Sequence, residues 1–180
     1  MRTLIVTLAV FAGSQASAQH HTPTGMSAHP RPASSSYAGE QLRDIKALSA
    51  EEQRAWIEGS GAGLARAAEL NSHPGPMHVL EHAGEMRLSA SQEGETRALM
   101  ARHKAEVRQL GGELVEAERR LDDLFRTRRA TANAVNDMTA LVGTLQARIR
   151  ASHLITHLEQ TTILRRDQID AYDRLRGYAR

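Results

Sequence analysis

The chain has 180 residues and no cysteine. That excludes disulfides, thiolate metal sites and cysteine nucleophiles, and leaves the fold to stand on side-chain contacts alone. Aromatic residues are scarce, at 3%. Runs of β-branched residues with period two are absent. With Ala, Leu, Arg and Glu dominant, the expected class is all-α. A strong excess of one charge is also missing, since 23 basic residues face 21 acidic ones for a net charge of +2. Long apolar runs are missing after the first 18 residues. Nothing there is long enough to cross a bilayer, which takes about 20 residues.

The N-terminus holds the one apolar run. Met1-Arg2 precedes a stretch from Leu4 to Ala12, and Ala16-Ser17-Ala18 follows. A basic start, a short apolar region and an A-x-A site read as a cleavable export signal over residues 1–18. An anchor left uncleaved is the alternative. The reading places the mature protein, beginning at Gln19, in a bacterial periplasm, without membrane insertion and away from nucleic acid. Residues 19–39 hold Pro23, Pro30, Pro32, three His and Ser34-Ser35-Ser36. That composition cannot bury a core, so a disordered tail is expected. Residues 40–180 are expected to form a single helical domain.

A pentapeptide recurs along this domain. Leu88-Ser89-Ala90-Ser91-Gln92 is the clear copy, and Leu48-Ser49-Ala50-Glu51-Glu52 and Leu164-Arg165-Arg166-Asp167-Gln168 are worn ones. Ser89 with Gln92, and Ser49 with Glu52, fit a capping box, in which hydroxyl and N3 side chain each satisfy the other's backbone N–H. Arg165 loses the hydroxyl half, while Leu164 and Ile169 can still form a hydrophobic staple.

Six helical stretches follow from these signals. They cover roughly 50–58, 62–70, 77–87, 89–126, 131–163 and 167–177, with Gly59-Ser60-Gly61 as a break and Pro76 suited to a first helical position. In the first long stretch Met100, His103, Val107, Leu110, Leu114, Ala117, Leu121 and Leu124 alternate spacings of three and four. Val135, Met138, Val142, Leu145 and Ile149 do the same in the second. Two such seams joined by a short turn at 127–130 make a long antiparallel hairpin flanked by short helices. Gly111-Gly112 sits mid-helix at a cost of about 1 kcal/mol per Gly. It marks either a close crossing or bend, or two tolerated glycines.

All nine His lie after residue 18. His78 with His82, and His153 with His157, are spaced i,i+4, so each pair shares a helix face about 5–6 Å apart at Cβ. A turn centred near Arg129 sets His103 level with the gap between His153 and His157. Three imidazoles could then converge, leaving a fourth position for water, a carboxylate or another chain. The competing reading is three half-buried rings satisfied by Thr156, Glu159 or Glu106. His78 and His82, with Glu85 nearby, form a second candidate. A third depends on cleavage after Ala18, which puts His21 third in the mature chain. Free amine, two amides and imidazole would then make a square-planar site for Cu(II) or Ni(II). Cyclisation of Gln19 would remove it.

The repeated Leu-Ser/Thr-x-x-Gln element, the export signal and the hairpin resemble the Spy/CpxP (LTXXQ-motif) family. The likeness runs from about Tyr37 to Tyr178. Residues 63–71, Pro74-Gly75-Pro76 and residues 172–178 resemble its periplasmic heavy-metal-sensor and zinc-resistance branch. Arg165, Arg166 and Ser91 depart from the pattern. The resemblance implies a small helical protein, often dimeric, in envelope stress or metal homeostasis. Some such proteins hold unfolded clients without ATP. Others bind zinc, nickel, cobalt or copper and act on a sensor system.

Enzymatic readings find no footing. Gly59-Ser60-Gly61 lacks both the preceding strand and the flanks of a nucleophile elbow. Glu116 with Arg119 and Arg120 reads as a solvated ion-pair face. The expectation is therefore a periplasmic metal-binding protein, zinc first, in heavy-metal sensing or resistance. The alternative is an ATP-independent holdase that uses Arg and apolar side chains on the hairpin. Expected partners are a second copy of the chain and either an envelope sensor protein or unfolded clients.

Overall fold

The structure is a computed structural model, and it describes residues 35–179. The expected export signal, most of the expected 19–39 tail and His21 lie outside the described residues. Tyr37–Arg180 forms one compact unit. Its elements are a short 3-10 turn at Glu40–Leu42, then α1 (Ala50–Glu58), α2 (Arg66–Glu69), α3 (Pro76–Glu81), α4 (Ala90–Arg126), α5 (Ala132–Ile163) and α6 (Arg166–Leu175). The protein is all-α, and α4 and α5 pack along each other as a long hairpin.

The caps explain where the helices start. Ser49 and Ser89 each make a complete capping box, with Glu52 and Gln92 respectively. Thr131 caps α5 through the amide of Ala134. At α6, Arg165 accepts nothing through its side chain, but Gln168 Oε1 still accepts its amide at 2.9 Å. Leu164 and Ile169 are buried in one cluster, as a staple requires.

Two short helices are shorter than the sequence pattern suggests. Residues 62–65 turn instead of continuing, because Ala62 and Gly63 take positive φ. The 77–87 stretch is helical only to Glu81, where His82 at φ −106°, ψ 21° leaves the helix; residues 82–87 are turns, closed by Arg87 at φ 50°. Left-handed residues cannot carry the i→i−4 ladder onward. The final helix stops at Leu175, with Gly177 at φ 74° beyond it.

The seam forms the core. Val107, Leu110, Leu114, Ala117, Val142, Leu145 and Ile149 are buried together, with Trp56, Leu64 and Met138 against them. Each fully buried aliphatic chain contributes about 1.5–3 kcal/mol. Val79, Met86, Leu164, Ile169 and Tyr172 form a second cluster where α6 meets α3. Gly111 lies directly under the carbonyl of Trp56, closer than any side chain would allow. Gly112 faces open space. The glycine pair is thus a close crossing of α1 over α4 at its first member and a tolerated glycine at its second.

The pentapeptide glutamines meet. Gln92 Nε2 donates to Gln168 Oε1 at 2.8 Å and Gln168 Nε2 donates back to Gln92 Oε1 at 3.1 Å. Gln92 also donates to Ile163 O, and Gln168 to Met86 O and Arg87 O. A clasp of two amides therefore joins the start of α4 to the start of α6.

Candidate functional site

A cavity of about 810 Å³ opens between residues 59–65, α2, the start of α3 and the facing sides of α4 and α5. His78, His103, His153 and His157 all line it. The seam brings the last three there. His103 stands four residues before buried Val107, and His153 four after buried Ile149, so each ring continues an apolar stripe inward. Gly75 leaves room at His157. A Cβ there would stand 2.8 Å from its Cε1 and 2.9 Å from its Nε2.

A line of hydrogen bonds runs inward from Glu106. Ser152 Oγ donates to Glu106 Oε2 at 2.7 Å. His103 Nδ1 lies 3.1 Å from Ser152 Oγ, and His103 Nε2 lies 3.0 Å from His153 Nδ1. The two rings meet edge-on at 74°. Counting protons fixes the tautomers. The serine has one hydrogen, and the carboxylate takes it. His103 must then donate from Nδ1 and accept at Nε2. His153 must donate from Nδ1, which leaves its Nε2 as a bare lone pair. That nitrogen is buried and has no hydrogen-bond partner among the described residues.

His157 shows the same pattern. Its Nδ1 donates to the carbonyl of His73 at 2.7 Å, so the neutral ring keeps its lone pair at Nε2. His153 and His157 are one helical turn apart. Both commit Nδ1–H to a fixed acceptor and hold Nε2 in reserve. A metal-binding imidazole is typically oriented this way by its second nitrogen.

Both central rings are kept neutral. His153 is buried, and burial together with the neighbouring His103 and His157 pushes its pKa down to about 4. His103 is lowered chiefly by burial, against an upward pull from Glu106. Beyond them Glu69 is held at Oε1 by Tyr172 OH at 2.6 Å, Tyr178 OH at 3.3 Å and Arg176 Nε at 3.5 Å. Burial, then the bond to Glu69, raises the Tyr172 phenol far above its ordinary value. Glu69 Oε2 is buried, without a hydrogen-bond partner among the described residues, and lies 3.7 Å from His157 Nδ1.

The sequence-based candidates are placed as follows. His103 pairs with His153 and Ser152, and does not sit midway between His153 and His157. His157 turns its Nδ1 to His73. His78 lines the cavity but pairs with Glu81 at 2.7 Å, and His82 faces Glu85 at 3.9 Å. Among the described residues no group of three or more His, Cys, Asp or Glu is arranged to enclose an ion by itself. Of the hydrogen-bond partners considered for these rings, Glu106 is used, through Ser152, whereas Glu159 is taken by Arg102. Sequence spacing did not reveal Glu69, Ser152 or Gly75. Glu69 reaches the site from a separate helix. Ser152 carries no periodic signal beyond its place beside His153.

No family model, curated protein or solved structure matches this chain.

Proposed function

We propose that this domain binds a late first-row transition ion, zinc before copper or nickel, through Nε2 of His153 and Nε2 of His157. His103 is then a positioning residue. It holds His153 in the productive tautomer and is itself held by Ser152 and Glu106. The observation that carries the reading is the bare, buried Nε2 of His153, a lone pair with no proton and no partner. Neutral imidazole is the form that a metal takes up, and a pKa near 4 keeps His153 in that form at neutral pH. Zinc accepts nitrogen at about 2.0–2.1 Å and completes four positions with water or carboxylate.

The export signal read from residues 1–18 and the family resemblance make the setting a periplasmic one. The role is heavy-metal sensing or resistance, with an envelope sensor protein as downstream partner. Calorimetric titration of zinc, copper and nickel into the tag-free mature protein tests the reading. Micromolar or tighter binding, lost in both His153→Ala and His157→Ala, is the expected result. Binding retained in both variants would refute it. A His103→Ala variant should weaken binding without abolishing it.

A second reading rests on a different observation. Ile155 and Leu158 stand about half exposed on α5. Ile155 borders a groove of about 320 Å³ with Arg102 and Arg148. Arginine stems and apolar chains side by side suit a holdase surface for unfolded clients. Suppression of client aggregation without metal, lost on Ile155→Glu, would favour it.

A further inference from the structure

The cavity is far larger than a single ion and its waters need, and it falls in the range that holds small organic ligands, about 300–1,000 Å³. Its charges are unequal. Arg66, Lys104, Arg108 and Arg176 line it against two carboxylates, Glu58 and Glu69. Glu69 is already engaged by Arg176 and two tyrosines. Arg66, Lys104 and Arg108 stand exposed at the mouth, with no ion pair among the described residues. The wall therefore offers bare imidazole nitrogens at depth and unpaired cations at the entrance.

A bare dication has no use for that entrance, because the three unpaired cations there would repel it. A metal already bound to a small polycarboxylate or amino acid carries both matching features. Its ion has open or exchangeable positions for imidazole, and its carboxylates are anions for Lys and Arg. We propose that the cavity takes up its ion as a complex with a small carboxylate chelator. His153 and His157 supply the protein's nitrogens, and Lys104, Arg108 and Arg66 grip the chelator. The proposal rests on the metal reading above and adds the form in which the ion arrives. Binding forms metal–nitrogen bonds in place of metal–water bonds, with no redox change and no proton lost from either imidazole.

Native mass spectrometry and calorimetry on the tag-free mature protein distinguish the outcomes. The probes are zinc alone, zinc with one equivalent of citrate, zinc with one equivalent of L-histidine, and citrate alone. The expected result is a ternary protein–zinc–chelator complex, at least tenfold tighter than zinc alone. Citrate and L-histidine separate a polycarboxylate site from an amino-acid site. In K104E/R108E the advantage of the complex over zinc alone should fall at least tenfold, and His153→Ala should abolish the ternary species. If citrate and L-histidine each strip zinc and leave the protein empty, the chelate proposal fails while the metal reading stands. If zinc binds in no form, both fail. Citrate bound equally well without zinc, and unaffected by His153→Ala, would make the cavity a plain anion site and overturn the proposal.

Discussion

Replacing Ser152 with Ala removes one hydroxyl and, on the tautomer argument, disarms a nitrogen two rings away. The hydroxyl accepts from His103 Nδ1 and donates to Glu106. Without it, nothing requires the His103 proton to sit on Nδ1. Once that proton moves to Nε2, His103 becomes the donor toward His153 Nδ1. The proton of His153 is then displaced to its own Nε2, which can no longer bind a metal directly. Loss of such an outer partner typically costs ten- to a hundredfold in metal affinity, or about 1.4–2.7 kcal/mol. Fold stability should fall by about 1–3 kcal/mol, since two hydrogen bonds worth about 0.5–1.5 kcal/mol net each are lost. Zinc affinity is measured by competition with a chromophoric chelator. Long-range nitrogen–proton correlation of the metal-free protein reads the tautomers directly. Ser152→Thr keeps the hydroxyl and should retain most of the affinity. A wild-type His153 protonated at Nε2 would refute the reasoning. So would zinc affinity unchanged in Ser152→Ala while His153→Ala loses it.

The remaining expectations concern stability and pH. Gly111→Ala should destabilise by about 2 kcal/mol or more, since overpacking against the Trp56 carbonyl outweighs a helix gain of about 1 kcal/mol. Gly112→Ala, facing open space, should stabilise by about 0.5–1 kcal/mol. Urea unfolding of both variants decides, and equal effects would contradict the crossing. Metal-free protein should lose stability as pH falls from about 6.5 toward 4. A histidine lowered in the folded state binds its proton more readily once unfolded, so its contribution is full above pH 6.5 and is lost on acidification. For His153 this amounts to roughly 2 kcal/mol between neutrality and pH ~5. Denaturation series with and without His153→Ala should diverge in that window, and parallel curves would contradict it. Gln168→Ala should destabilise by about 3 kcal/mol, because it leaves the Gln92 amide, the Arg165 N–H and two carbonyls short of a partner in a buried place. A loss under about 1 kcal/mol would mean that water replaces the clasp.

Much of the fold was legible because its signals are local or periodic. Ser89, Thr131 and the three–four spacing of the seam fix α4, α5 and the hairpin turn within a residue or so. The expected bounds of α1 match the structure, whereas those of α2 and α3 are too long, since Ala62 adopts left-handed backbone and His82 leaves the helical region, neither of which the side chains announce. Of the site, the shared i,i+4 face of His153 and His157 and the proximity of His103 followed from hairpin arithmetic. What each ring does with its two nitrogens did not. That depends on Ser152 and on the His73 carbonyl, the latter 84 positions away in the chain. Glu69, held by Tyr172, Tyr178 and Arg176, belongs to the same class of contact, made between elements with no common period.

The Gln92–Gln168 clasp also governs how the molecule comes apart in time. The partners are 76 residues apart, and joining them in an open chain would cost about 4 kcal/mol of loop entropy. Once α4 and α5 have zipped from their turn, the ends already lie side by side and most of that cost is gone. A clasp that closes after the hairpin has zipped is expected to be absent from the transition state, so Gln168→Ala should leave the folding rate nearly untouched, as stopped-flow refolding would check. Its loss should then appear almost wholly as faster unfolding, about a hundredfold for a deficit of 3 kcal/mol. On that expectation the worn repeat at Gln168 would set the lifetime of the folded state more than its speed of formation.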